Sequence, residues 1–174
     1  MASRAQRRKN LIQIVALVIA VVVVITASVL FQNWWNNRPG PQPAEVAISV
    51  SNGSEQVEVT PYSVCEPGVE CAENEVPVVP VPADGTMTLT LPKEIYDHDW
   101  ALLKIYDDPA ANSEAYYTSN QATEVTVPGS VDPTTAEDPT RPRLVVVEVT
   151  SVQIGTNEAG EETPYSVTWS IAAQ

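Results

Sequence analysis

Histidine occurs once in this 174-residue chain and cysteine twice, and these shortages already narrow the chemistry. A zinc centre takes three or four ligands. His98 has no second histidine beside it, and Cys65 and Cys71 are expected to be oxidised, so the set is too small. The cysteines are not spaced Cys-x-x-Cys, which leaves a thiol oxidoreductase without its motif. No GxSxG elbow and no EF-hand loop occur either. Bases are scarce in a telling place. Residues 1 to 38 hold five of the nine Lys and Arg and no acid, leaving four bases against 22 acids in the remaining 136 residues, a formal balance of −18. A nucleic-acid surface needs a basic face to neutralise phosphates, so nucleic acid is excluded as a partner. The same sign of charge disfavours lying flat on anionic lipid.

What is abundant stands at the N-terminus. Residues 11 to 31, "LIQIVALVIAVVVVITASVLF", carry no charge over 21 positions. At about 1.5 Å per residue a helix of that length spans the roughly 30 Å hydrocarbon core of a bilayer. Arg4, Arg7, Arg8 and Lys9 all precede it, which by the positive-inside rule keeps residues 1 to 10 cytoplasmic and the rest outside. Trp34 and Trp35 follow it, where an interfacial aromatic belt sits. The expectation is a single-pass anchor; the alternative is a cleaved signal peptide, for which the site at Ala27 is a poor match. Ala16 and Ala20 lie four apart on one helical face, a spacing that allows close packing against a partner's membrane helix, as against an inert lipid-facing anchor.

Residues 32 to 43 read as interface and Pro-rich linker, and residues 44 to 174 as the extracytoplasmic domain. There the apolar positions alternate with period two. Val46, Ile48 and Val50 share a face, then Val57 and Val59 after an Asn52-Gly53 turn, then Met87, Leu89 and Leu91, then Val125 and Val127. "RLVVVEVTSVQI" is apolar on both faces in its first half, as in a central strand, and Tyr165, Val167, Trp169 and Ile171 share the last inward face. No 3.6-residue period appears outside the anchor. The fold expected is an all-β, immunoglobulin-like antiparallel sandwich of seven to nine strands. "PVVPVP", residues 77 to 82, belongs on an edge or in a loop because its prolines lack donors. "GSVDPTTAEDPTRP", residues 129 to 142, is expected to be a mobile polar loop. Asn52-Gly53-Ser54 also fits a glycosylation sequon, although the turn alone accounts for it.

Cys65 and Cys71 are expected to form a disulfide, because an exported chain meets an oxidising compartment and Pro67-Gly68 turns the chain between them. "TPYSV" occurs at Thr60 and again at Thr163. The flanks differ, so this reads as two strand starts solved alike, with Tyr and Val inward and Ser outward.

"WALLKIYDDPA", from Trp100 to Ala110, follows "LPKEI" and stands between the Tyr-x-x-Cys segment, with its second cysteine, and the strand holding Trp169. Over approximately residues 44 to 172 this resembles a family of actinobacterial cell-envelope proteins with no assigned function. Many such relatives are lipoproteins held by a cysteine that this chain lacks, so a lipid anchor is not implied. Small exported proteins of this kind are also accessory subunits of the actinobacterial cytochrome bcc and oxidase supercomplex, which makes that assembly a role the resemblance implies.

The chemistry left to weigh is Asp97-His98-Asp99. It offers a general base or part of a metal site, and Asp97, Asp99, Asp107, Asp108 and Asn112 would suit calcium if their loops converged. The expectation is a non-catalytic, cofactor-free interaction module with a protein partner in the envelope; the alternative is a ligand- or calcium-binding envelope protein using the Asp-His-Asp loop.

Overall fold

The structure is a computed structural model and describes residues 4–36, 40–136 and 139–174. The chain forms two compact units, residues 1–40 and residues 41–174, each taken by itself.

The first unit is one helix, α1 (Arg4–Asn36). Its apolar stretch, Ile12–Trp35, is 24 residues long, and none of it is buried against protein. At about 1.5 Å per residue that is roughly 36 Å, enough to cross a bilayer. Large Val, Ile and Leu side chains project on every side, the pattern of a helix whose solvent is not water. The Thr26 hydroxyl is spent locally, Oγ1 donating to the Val22 carbonyl at 2.8 Å. The helix runs on past Phe31 to Asn36, because nothing before Pro39 forbids it. The expected linker is therefore shorter than residues 32 to 43: its start is helical, residues 37–39 lie outside the described residues, and Pro43 is buried in the second unit.

The second unit is a sandwich of two antiparallel sheets, with nine strands among the described residues. One sheet has the order β2-β1-β4-β7, built from β1 (Ile48–Ser51), β2 (Gln56–Val59), β4 (Thr86–Thr90) and β7 (Glu124–Pro128). The other has the order β3-β9-β8-β5-β6, with β3 (Ser63–Cys65), β5 (Trp100–Tyr106), β6 (Ser113–Tyr117), β8 (Leu144–Thr156) and β9 (Glu162–Ala172). The period-two residues named from sequence fill the space between: Ile48, Val50, Met87, Leu89, Val127, Val147, Val149, Val167, Trp169 and Ile171 are wholly buried. Two polar bonds tie core aromatics across the layers. Trp169 Nε1 donates to the Val46 carbonyl at 2.9 Å, and Tyr106 Oη to the Pro128 carbonyl at 3.4 Å.

The β1–β2 hairpin forms as its turn residues dictate. Asn52 Oδ1 accepts from the Ser54 and Glu55 amides at 3.1 and 2.9 Å, and Gly53 sits at φ +88°, where a side chain would be strained. Residues 77 to 82 run beside the end of β9, an edge as expected. Val79 and Val81 donate to the Ala172 and Ala173 carbonyls at 2.8 and 3.0 Å and are buried, so the alternate positions, Pro80 and Pro82, need no donor. Within residues 129 to 142 the base is fastened: Ser130 Oγ donates to the Ala83 carbonyl at 2.7 Å and accepts from Arg141 Nε at 3.1 Å. Residues 137 and 138 of that loop lie outside the described residues.

The two "TPYSV" segments are neighbours in one sheet. Val64 pairs with Val167, and Ser63 with Thr168. Val167 is sealed inward as expected, but Tyr62 is not. Its hydroxyl bonds Glu73 and feels Glu148, which projects from the outward side between the buried Val147 and Val149. Tyr62 thus lies at the start of an edge strand, where residues 72 to 75 fold over it and Asn74 donates to its carbonyl at 2.8 Å.

Candidate functional site

The Asp97-His98-Asp99 corner follows the one-turn helix α2 (Lys93–Tyr96) and leads into β5. Its carboxylates are committed to the loop opposite. Asp97 Oδ1 accepts from Asn120 Nδ2 at 3.1 Å and Asp99 Oδ1 from the Ser119 amide at 3.0 Å, while Ser119 Oγ donates to the Asp97 carbonyl at 2.7 Å. Asn120 itself stands at φ +60°, a conformation that asparagine tolerates better than most residues. His98 is exposed. The corner therefore clamps the 118–121 turn.

Asp107, Asp108 and Asn112 lie at the other end of β5, a seven-residue strand that separates them from the corner by roughly 20 Å at about 3.3 Å per residue. The five proposed oxygen ligands do not converge. Each of the second group has local work: Asp107 Oδ1 accepts from the Arg143 amide, Asp108 Oδ1 from the Ala110 amide and Asn112 Oδ1 from the Tyr106 amide, at 2.8, 2.9 and 2.8 Å. Among the described residues no group of three or more His, Cys, Asp or Glu is placed to hold a metal ion.

Cys65 and Cys71 are joined as a disulfide, with Cα atoms 5.0 Å apart. The bridge closes the loop that follows β3 and brings Glu66, Val69 and Glu70 beside the Asn157–Ala159 turn. On α1, the rings of Trp34 and Trp35 stand 6.0 and 5.9 Å from that of Phe31, one aromatic group at the C-terminal end of the apolar stretch. Ala16 and Ala20 share one exposed face.

The largest departure from local rules is on β8. Val147 and Val149 point into the sandwich, so period two sends Ser151, Gln153 and Gly155 inward and turns Val152 and Ile154 out, 56% and 60% exposed. Gln153 is 5% exposed, and its Nε2 has no hydrogen-bond partner. Continuing along the outward side, Thr150 lies beside Ala101, and Ala101 beside Tyr116, which is 74% exposed. Leu103, Ile105 and Val146 are half-buried on the same side. A depression of about 280 Å³ lies between Ala101, Tyr116, Thr150 and Val152, and Trp100 reaches its wall. Trp100 is buried and stacked on Tyr117 with ring centroids 4.0 Å apart, and its indole N–H has no acceptor. The strand residues of this side present three carboxylates, Glu114, Glu148 and Glu162, and no Lys or Arg. The Glu114 side chain bonds Tyr116, and that bond, more than burial or charge, holds the Tyr116 phenol protonated above its usual range. Sequence reading did not single out this face; the apolar Val152 and Ile154 on either side of Gln153 were its only trace.

Residues 41–174 match a protein family of unknown function, DUF2771. The chain belongs to that family. The DUF2771 match covers the whole sandwich and brackets the span of approximately 44 to 172 over which the resemblance was read. It carries nothing about an actinobacterial source or a respiratory supercomplex. No curated protein and no solved structure matches the chain.

Proposed function

We propose that this DUF2771 protein is a membrane-anchored, non-catalytic interaction module. On this reading α1 crosses the membrane with residues 1 to 10 in the cytoplasm, and the sandwich docks on a protein partner outside. The observation that carries the proposal is the union, in one chain, of a 24-residue apolar helix with a sandwich whose candidate carboxylate ligands are spent on its own loops. The basic residues ahead of α1 and the acidic balance beyond it support the orientation. The Trp34–Trp35 pair suits the outer interface, and the Ala16–Ala20 face suits a second helix in the membrane. A respiratory supercomplex is one assembly such a module would serve.

Two measurements test this. A protease added to right-side-out membrane vesicles should remove residues 41 to 174 and spare the N-terminus; full protection would overturn the orientation, and an α1-less mature protein would overturn the anchor. Titrating the intact protein with calcium and with zinc should leave its Tm unchanged, whereas a metal-dependent rise would favour a binding protein instead.

A further inference from the structure

We infer that the outward face of the five-stranded sheet, centred on Val152, Ile154 and Tyr116, is the docking surface for an extended protein segment whose apolar side chains are flanked by lysine or arginine. This rests on the interaction-module reading and names the chemistry of its partner. Three observations fix the occupant. The second half of β8 turns two large aliphatic side chains to solvent while burying Gln153 with an orphaned amide. A sequence that breaks the inside-outside rule at a cost to its own stability usually does so at a functional surface. Such a face must be covered by apolar groups.

The rim chooses the sign. Glu114, Glu148 and Glu162 border the apolar residues with no base among them, in a domain that holds four bases against 22 acids. Two copies of this chain placed face to face would oppose carboxylate to carboxylate, and an anionic bilayer would be repelled. A cationic segment gains from both terms. The depression between Tyr116 and Val152 gives one apolar side chain a seat.

The test uses the full chain in detergent and two short capped peptides, one alternating valine with lysine, the other valine with glutamate. The lysine peptide should bind, more weakly as salt rises, and should shift the backbone amide resonances of Ala101, Tyr116 and Val152 while leaving the Trp169 indole N–H, bonded to Val46 in the core, unmoved. Replacing Glu114, Glu148 and Glu162 together by Gln should weaken binding about tenfold, the sum of three exposed ion pairs. The V152S/I154S double variant should lose binding with its fold intact by circular dichroism. Equal binding of the two peptides, unaltered binding to V152S/I154S, or no binding at all would each overturn the inference. In native membranes, a photo-crosslinker at position 154 should capture a segment rich in Lys or Arg. Capture of a second copy or of lipid would overturn the inference, and so would capture only from position 126 on the opposite sheet, which would leave the module reading standing. Silence at both positions would sink the two together.

Discussion

The two halves of β8 differ in a way that their composition does not announce. From Leu144 to Val147 the strand is apolar on both sides, and Leu144, Val147 and Val149 are sealed in the core. From Ser151 to Ile154 it alternates cleanly, but with the polar residues inward and the aliphatic ones outward. Ser151 donates to the Asp99 carbonyl at 3.3 Å, Gln153 leaves its amide without a partner, and Gly155 makes room where a Cβ would lie 2.7 Å from Pro43 Cδ. A strand cannot change sides midway without a bulge, so the inner register of Val147 and Val149 dictates the rest. The difference teaches that a side chain's polarity does not decide its face where neighbouring residues have already decided it. The first half of β8 serves the fold, and the second half keeps its apolar groups for something else.

The sharpest way to test the first half is to remove what packs against it. Trp169 is wholly buried in β9, paired with Val149, and holds the Val46 carbonyl through Nε1. Trp169→Ala should cost about 3–5 kcal/mol in a urea unfolding measurement, the range for emptying a large aromatic site. A loss under about 1 kcal/mol would mean that the two sheets are not held as described here. Next in size is the disulfide, whose seven-residue loop lies off the sandwich core. Replacing Cys65 and Cys71 together by Ser should cost about 2 kcal/mol by loop entropy and leave the sheets intact. Intact-mass measurement without reduction should show the parent two protons lighter than its reduced form.

Much of this was legible beforehand, for definable reasons. Val46, Ile48, Val50, Met87, Leu89, Leu91, Val167, Trp169 and Ile171 announce their face because alternation has period two wherever one side is buried. The disulfide and the Asn52-Gly53 turn are local, and chain chemistry over a few residues specifies them. What failed needed distance. The convergence of Asp97 and Asp99 with Asp107, Asp108 and Asn112 depended on which ends of β5 they occupy, and a strand keeps its ends apart. Tyr62 was expected inward by analogy with Tyr165, but it enters an edge strand whose outer neighbour is the 72–75 segment. The outward face stayed hidden because Val152 and Ile154, read alone, are an inward pattern.

A smaller effect compares the two sides of the sandwich through their tyrosines. Tyr106 points inward and its pKa is raised by burial; Tyr116 points outward and its pKa is raised first by its bond to Glu114. An acid whose pKa is higher folded than unfolded contributes stability below its unfolded value, near 10, and loses it as pH climbs through the folded value. Unfolding free energy should therefore fall above about pH 10. Glu114→Gln should bring the ultraviolet titration of Tyr116 back toward that of free tyrosine and leave Tyr106 late. If both phenols move, the assignment of separate causes is wrong.

The smallest expected effect is the most discriminating. If Val152 and Ile154 served the fold, cutting them back would cost what buried aliphatics cost, about 1–3 kcal/mol for the pair at their partial exposure. They are more than half exposed, and no core residue packs on their outward side, so V152S/I154S should change stability by no more than about 0.5 kcal/mol. Gln153→Met, one residue between them, should be neutral or stabilising. It removes an orphaned amide from the interior and keeps a flexible chain of similar length in its place. The paired outcome matters more than either half, since it would show one short run of β8 in which polar-to-apolar change helps the fold and apolar-to-polar change costs it nothing. A loss of more than 1 kcal/mol from V152S/I154S, on the urea scale used for Trp169→Ala, would return the second half of β8 to the core and remove the reason to look for anything that covers it.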